Sequence, residues 1–161
     1  MAADPLAPLL QAGPLVVKPY HGSRGEGVRV VWDADEFSDA GPGERPLFAQ
    51  RYLDRQGRDR KLYCIGGQVF GVKRVFPART YAEKLGEPFT VAPELRAIVL
   101  RAGDGLGTDL FGLDVVVSRD RPYVVDVNPF PGFKGVPDAA LRLADHVYAA
   151  AARAALVGAP S

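Results

Sequence analysis

The chain has 161 residues, enough for one domain that buries roughly two thirds of the surface its unfolded form exposes. With 20 Lys and Arg against 19 Asp and Glu the net charge is +1, and no basic stripe interleaved with aromatics appears, which excludes nucleic acid as the main partner. The single cysteine, Cys64, allows no intrachain disulfide, no signal peptide is visible, and the apolar stretch at 149–157 holds Arg153 and is too short for a bilayer; a cytoplasmic protein without a membrane partner is expected.

In chain order, prolines at 5, 8 and 14 confine any helix of the N-terminal segment 1–14 to a few turns and leave no room there for another domain. Residues 15–18 (LVVK) read as a short buried strand, 19–26 as a glycine-bearing loop and 27–32 (GVRVVW) as the returning strand. Residues 33–40 (DADEFSDA) predict a short capped helix, Gly41-Pro42-Gly43 a turn, and 47–53 (LFAQRYL) a strand. Strands at 61–65 and 68–76 flank Gly66-Gly67, a two-residue signature of a tight hairpin, and Cys64 reads as a small buried hydrophobe. Residues 80–87 read as irregular and polar. Pro93 opens a helix whose apolar face is Leu95, Ile98 and Val99 and which ends at glycines. A last helix at 137–157 carries Ala140, Leu143, Ala144 and Val147 at helical spacing. The sum is an α+β architecture of antiparallel strands with about two main helices on a shared core.

The chemistry concentrates in residues 110–129 (LFGLDVVVSRDRPYVVDVNP). Two β-branched runs, 113–117 and 123–127, flank a polar turn at 118–122, the pattern of an antiparallel hairpin. A turn centred on Asp120 pairs residues whose numbers sum to 240, which sets Asp114 opposite Asp126, and alternation puts Asn128 on the same face. Opposed carboxylates repel unless a cation lies between them. Two carboxylates and an amide oxygen are hard donors suited to magnesium or manganese that draws its remaining ligands from a nucleotide's phosphates. The plain alternative is an acidic strand face paired with Arg119 or Arg121.

Lys18, followed by His21-Gly22-Ser23-Arg24-Gly25-Glu26-Gly27, places a lysine at a strand end before a small-residue loop tip, where backbone N–H groups can approach a polyphosphate. The loop matches neither standard glycine phosphate motif, and glycine loops are commonplace. Gln50-Arg51-Tyr52-Leu53 is suited to presenting backbone groups to a purine edge, or is simply an amphipathic strand. Lys73 and Arg74 point to opposite faces, and Arg74 is the one whose fork suits phosphate oxygens, unless it is a solvated edge charge. His21 and His146 are too far apart for a local zinc motif; His21 is placed to touch phosphate, and His146 reads as a packing or surface residue. No nucleophile elbow or Cys/His nucleophile pair appears.

Taken together, VVKPYHGSRGEGV, LFAQRYL, DRKLYCIGGQVFGVKR and LFGLDVVVSRDRPYVVDVNPFPGF resemble, in order, the nucleotide-binding part of the ATP-grasp superfamily. The resemblance covers nearly all of the chain from Leu15 onward. It is similar to ribosomal-protein glutamate ligases in its lysine-glycine loop and to inositol trisphosphate kinases in DVNPFPGFKG. It implies an ATP-grasp domain at 15–157, with a small phosphate-loop subdomain at about 15–53, a metal-binding subdomain at 54–157 and a tail at 158–161.

The resemblance further implies Lys18 and Arg74 as catalytic phosphate contacts and Gln50 with the backbone of Tyr52 and Leu53 as the adenine site. His21, Gly22, Ser23, Gly25 and Gly27 would lie along the phosphates, and Asp114, Asp126 and Asn128 would hold magnesium. The family's N-terminal domain and its first lysine are missing from this chain. The implied activity is a carboxylate-amine ligase acting through an acyl phosphate on a small-molecule or peptide acceptor, with Lys134 in the loop 129–136 placed to orient an anionic one. The alternatives are a truncated, non-catalytic nucleotide-binding module, a polyol or inositol phosphate kinase, and a structural domain without nucleotide. A second copy of the chain, or a partner that supplies the missing domain, would complete it.

Overall fold

A computed structural model describes residues 7–21, 26–38, 46–75 and 78–157. The chain divides into two compact units, Met1–Asp54 and Arg55–Ser161.

The first unit holds helix α1 (Ala7–Leu10), strand β1 (Leu15–Pro19), strand β2 (Arg29–Val31), helix α2 (Ala34–Ser38) and strand β3 (Leu47–Arg51). The sheet order is β2-β1-β3, with both pairs antiparallel. Alternation along β1 buries Leu15 and Val17 against Val31, with Leu10, Leu47 and Ala49 packed around them. Two strands are shorter than their apolar runs. The strand expected at 27–32 pairs only over Arg29–Val31, because the Trp32 amide donates to Glu36 Oε2 at 2.8 Å instead of to a ladder. The strand expected at 47–53 stops at Arg51: the Tyr52 amide still donates in register to the Pro14 carbonyl at 2.9 Å, but Pro14 has no N–H to return the bond. The expected capped helix is present as α2: Asp33 Oδ1 accepts from the Glu36 amide at 3.0 Å. The turn at Gly41-Pro42-Gly43 lies outside the described residues.

The second unit carries strands β4 (Asp59–Ile65) and β5 (Gln68–Arg74), helix α3 (Tyr81–Leu85) and strand β6 (Glu87–Phe89). Helix α4 (Pro93–Leu106), strands β7 (Leu110–Ser118) and β8 (Arg121–Asn128), and helix α5 (Ala139–Val157) follow. All neighbours in the sheet order β6-β5-β4-β7-β8 are antiparallel. Gly66 and Gly67 have φ of 57° and 80°, the left-handed pair that a two-residue hairpin matched to strand twist requires.

One sheet face packs on α4: Leu62, Cys64, Phe111, Leu113 and Val115 meet Leu95 and Val99, with Ile98 at the margin. Each fully buried Leu or Val there contributes about 1.5–3 kcal/mol, so this layer anchors the unit. On the other face Tyr63, Ile65 and Val72 pack against Phe133 and Val136, with Ala139 and Leu143 of α5 alongside. That second layer covers only part of the face. The remainder carries the polar residues described below.

Two expectations for this unit need correction. Residues 80–87 are not irregular: Thr80 and Glu83 form a reciprocal capping box that starts α3, and Glu87 opens β6. Helix α5 begins at Ala139, after a positive φ at Asp138, and buries the Ala139 and Leu143 side, leaving Ala140, Ala144 and Val147 exposed. Cys64 is free and buried. No helix among the described residues is long and apolar enough to cross a membrane.

Thr80 Oγ accepts from the Glu83 amide at 3.1 Å, and Glu83 Oε2 accepts from the Thr80 amide at 3.0 Å. Thr80→Ala removes the first of these bonds. It is expected to lower stability by about 1 kcal/mol in urea unfolding, with an unchanged m-value.

Candidate functional site

Asp114, Asp126, Asn128, Lys61, Tyr63 and Arg74 all lie on the face of the five-stranded sheet opposite α4. The β7–β8 ladder sets Asp114 directly opposite Asp126 and Gly112 opposite Asn128. The predicted pairing is therefore correct, but it arises in a different way. The turn is not the five residues 118–122; it is Arg119-Asp120 alone, with φ of 49° and 59°, and Ser118 already pairs with Arg121. From that tip the partners sum to 239. Between Asp114 and Val115 the register shifts: Val115 pairs with Val124 while Asp114 pairs with Asp126, so Val125 is the extra residue of a β-bulge. The bulge returns the sum to 240 and turns both carboxylates to one face.

Gly112 leaves room beside this pair, since a side chain there would press on Pro131 and the Tyr63 ring. Pro131 is itself buried, which seats the loop that leaves Asn128. The Asn128 Oδ1 accepts from the Phe130 amide at 3.1 Å, a local turn that fixes the amide while leaving the oxygen a second lone pair.

Strand β4 supplies residues that sequence reasoning missed. The β4–β7 ladder pairs Lys61 with Asp114, and the Lys61 Nζ lies 2.9 Å from Asp114 Oδ1 and 3.2 Å from Oδ2. Neither Arg119 nor Arg121 takes that place, so the plain alternative of an arginine-paired acidic face is not what the structure contains. Among the described residues no cation is paired with Asp126. The signal for Lys61 is a lysine two positions before Tyr63, on the same face of the strand. Reading it required the non-local register with β7.

Arg74 joins this face from β5, where it pairs in register with Asp59. Its Nη2 donates to the Tyr63 Oη at 2.8 Å and to the Lys134 carbonyl at 2.9 Å. The Arg74 Nε is buried and has no hydrogen-bond partner among the described residues, a donor that an oxygen-rich ligand would satisfy. Lys73 lies on the opposite face, with its Nζ 5.3 Å from the centre of the Phe89 ring. Lys134 is exposed, and what the loop 129–136 presents to Arg74 is its carbonyl rather than its ammonium.

Burial pushes the Tyr63 hydroxyl up to about 12, with Arg74 pulling it down and Asp114 adding to the rise. Burial likewise raises the Asp59 carboxyl, against the pull of Arg55 and with a smaller push from Asp114. Among the described residues, Asp, Glu, His and Cys form no cluster of three or more fit for a metal. The candidate donor set is two carboxylates and an amide oxygen, on a face where Lys61 neutralises one acid. Those donors suit a small hard cation that keeps waters and shares phosphate oxygens.

In the first unit, Val16 and Lys18 face away from the Leu15 and Val17 core. The β1–β3 register sets Gln50 opposite Val16 and Phe48 opposite Lys18, so Lys18 and Gln50 are diagonal neighbours on one face. Half-exposed Phe48 and exposed Val30 add apolar surface to it. Since the Tyr52 amide is committed to Pro14, the groups left there for a base edge are the Tyr52 carbonyl and the Leu53 amide. The Tyr52 ring sits 5.9 Å from Trp32. His21 is exposed and edge-on to Tyr20 at 4.9 Å. Gly27 is exposed with φ of 70°. Gly22, Ser23 and Gly25 lie outside the described residues. His146 is held by Asp109 at 3.3 Å in the second unit, a packing role away from the acids.

Residues 5–150 match the family described as the RimK-like ATP-grasp domain. The chain is 29% identical over 147 residues to a probable alpha-L-glutamate ligase of Thioalkalivibrio sulfidiphilus, covering 84% of this chain and 49% of that protein. It is 30% identical over 145 residues to the probable alpha-L-glutamate ligase 2 of Shewanella frigidimarina, covering 83% and 49%. Among solved structures it is similar to the D-alanine–D-alanine ligase of Bacillus anthracis, with a TM-score of 0.64 at 22% identity over 88% of this chain and 55% of that one. A second likeness is to the ATP-grasp ligase PsnB complexed with minimal precursor, Mg and ADP, with a TM-score of 0.63 at 23% identity over 86% and 47%. The chain spans about half the length of the curated relatives it matches.

Tyr63 generates a pH prediction. Its folded pKa lies above the unfolded value of about 10, so the stability it contributes is complete below pH 10 and is lost as pH rises toward 12. The difference in urea midpoint between wild type and Tyr63→Phe should stay constant up to about pH 10 and shrink above it. A constant difference up to about pH 12 would show that the hydroxyl ionises normally.

Proposed function

The chain belongs to the RimK-like ATP-grasp family, and from that premise we propose that it binds Mg-ATP and serves a carboxylate-amine ligase reaction. The observation that carries this reading is the in-register pair Asp114 and Asp126 with Asn128 on the same face, beside two cations, Lys61 and Arg74. In the reaction the γ-phosphoryl group passes to an acceptor carboxylate and ADP leaves. An amine then attacks the acyl carbon, the C–N bond forms and phosphate departs.

Asp114, Asp126 and Asn128 would hold magnesium, or manganese in its place, and the bound ion would offset the charge that develops in phosphoryl transfer. The protein's own residues position and neutralise. Arg74, braced by Tyr63 and the Lys134 carbonyl, offers its remaining donors to phosphate oxygens in a fixed orientation. Lys61, with its Nζ 2.9 Å from Asp114 Oδ1, balances the charge of that acid and leaves its ammonium on the face where phosphates would lie. Lys18 contacts the polyphosphate, with His21 and the glycines Gly22, Gly25 and Gly27 and Ser23 of its loop alongside. Gln50, the Tyr52 carbonyl and the Leu53 amide read the adenine edge, and Phe48 and Val30 supply apolar surface near them.

The names of the relatives favour amide-bond formation over phosphorylation of a hydroxyl. Two are called glutamate ligases, and one solved neighbour is complexed with a precursor, so an amino-acid or peptide acceptor is the substrate class we assign. The loop 129–136 next to Asn128 is its place, with Lys134 oriented to an anionic acceptor. A reducing cytoplasm is the setting consistent with the free, buried Cys64.

The test is the unfolding midpoint with ATP alone, magnesium alone and both. Saturating Mg-ATP is expected to add about 2.7 kcal/mol, or roughly 5–10 °C for a unit of this size, and only when both are present. Asp126→Ala, at an exposed position, should keep the unliganded midpoint and lose the shift. Lys61→Met should retain part of it. Absence of any shift in the wild type at millimolar ligand would sink the nucleotide reading. Binding without turnover on any acceptor would mean that the acceptor chemistry needs residues beyond this stretch.

A further inference from the structure

We infer that Phe130 selects the acceptor: its ring is the apolar wall for the residue whose carboxylate is activated, so the preferred acceptor carries an apolar or aromatic side chain beside that carboxylate. The inference rests on the nucleotide and acceptor reading given above and narrows the acceptor within it. Phe130 follows Asn128 by two residues, and its amide donates to the Asn128 Oδ1 at 3.1 Å, which ties it to the candidate metal donors. Its side chain is 70% exposed. The ring stands edge-on to Phe133 with centroids 6.1 Å apart, and Phe133 lies 5.5 Å from Tyr63, whose hydroxyl accepts from Arg74. An aromatic row thus runs from the Arg74 guanidinium to an exposed ring beside Asn128.

One exposed apolar side chain needs no explanation, but one held as firmly as this does. Pro129 and Pro131 fix their own φ and disfavour helical backbone at Asn128 and Phe130, the residues before them. Pro131 is buried, and a side chain at Gly112 would come within 3.0 Å of its Cγ. Phe133 is buried with φ of 47°, a left-handed backbone that a bulky residue keeps only where its surroundings enforce it. Gly135, with φ of 81°, passes so close to the Leu85 carbonyl that no side chain fits there. Pro131, Phe133 and Val136 go under, while Phe130 and Lys134 stay outside. One apolar surface and one cation are therefore set in place before any ligand arrives. An acceptor with an anionic group for Lys134 and an apolar side chain for Phe130 matches both. A residue with a second carboxylate would set a charge against the ring.

The test is isothermal titration of the whole chain, saturated with magnesium and a non-hydrolysable ATP analogue, with N-acetyl-L-phenylalanine and with N-acetyl-L-alanine. The wild type is expected to bind the phenylalanine compound on the order of tenfold more tightly. Phe130→Ser should bring the two to parity and Phe130→Leu should keep most of the preference, a split that a merely structural role would not produce. Equal affinities in the wild type overturn the proposal. So does a lack of binding by either compound at millimolar concentration, or a preference that survives in Phe130→Ser. The thermal shift with magnesium and the analogue, measured first on the same sample, separates the two readings. With no shift the nucleotide reading itself fails, and with a shift but no preference only the role of Phe130 does.

Discussion

Two like charges fixed opposite one another in a β-ladder are the constraint around which the second unit is arranged. Sheet pairing leaves Asp114 and Asp126 no freedom to separate, because their backbones are tied by the ladder and their side chains leave from the same face. A protein selected only for stability would place Thr or Val there. Retaining both acids requires charge compensation from elsewhere, and the fold supplies it in layers: Lys61 one strand away, Arg74 a further strand away, and Asn128 as a neutral oxygen on the same face. The apolar investment lies on the reverse side. Leu62, Leu113, Val115 and Val99 hold the sheet to α4, so the charged face can remain strained without loosening the strands.

The same logic accounts for the loop after Asn128. It returns over the sheet and buries Phe133 and Val136 beside Tyr63, and its Lys134 carbonyl then accepts from both Arg74 and Tyr63. Arg74 is therefore not a long, mobile cation. Its guanidinium is set by a tyrosine that stays protonated because it is buried, and by a carbonyl that has no proton to lose. Such bracing removes side-chain entropy before any ligand arrives, which is how a small domain obtains useful affinity from few contacts.

What could be read from the residues alone followed the range of the interaction. The Gly66-Gly67 turn, the α4 face and the β7–β8 hairpin depend on neighbours within a few positions, and each was legible. The acid pairing was reached through a five-residue turn, whereas the molecule reaches it through a two-residue turn and a bulge at Val125. One extra residue in a strand has no signature in a run of valines. The capping box at Thr80 and Glu83 was legible in principle, and polarity hid it. Lys61 was not legible at all, since its significance depends on a ladder joining residues 53 positions apart. In α5, helical spacing identified the helix but could not say which side meets the sheet, because alanines on every side give little contrast.

That last ambiguity has a physical consequence. The sheet covers one side of α5, and its other sides mix exposed alanines and leucines with Asp145 and Arg153. The sheet layer over Tyr63 and Val72 is in turn held by the first turns of α5 through Ala139 and Leu143. The position of α5 and the bracing of Arg74 therefore share one packed layer. The coupling that this contact allows is bounded by how far α5 can shift without opening the Phe133 and Val136 cluster. A close-packed interior tolerates little of that.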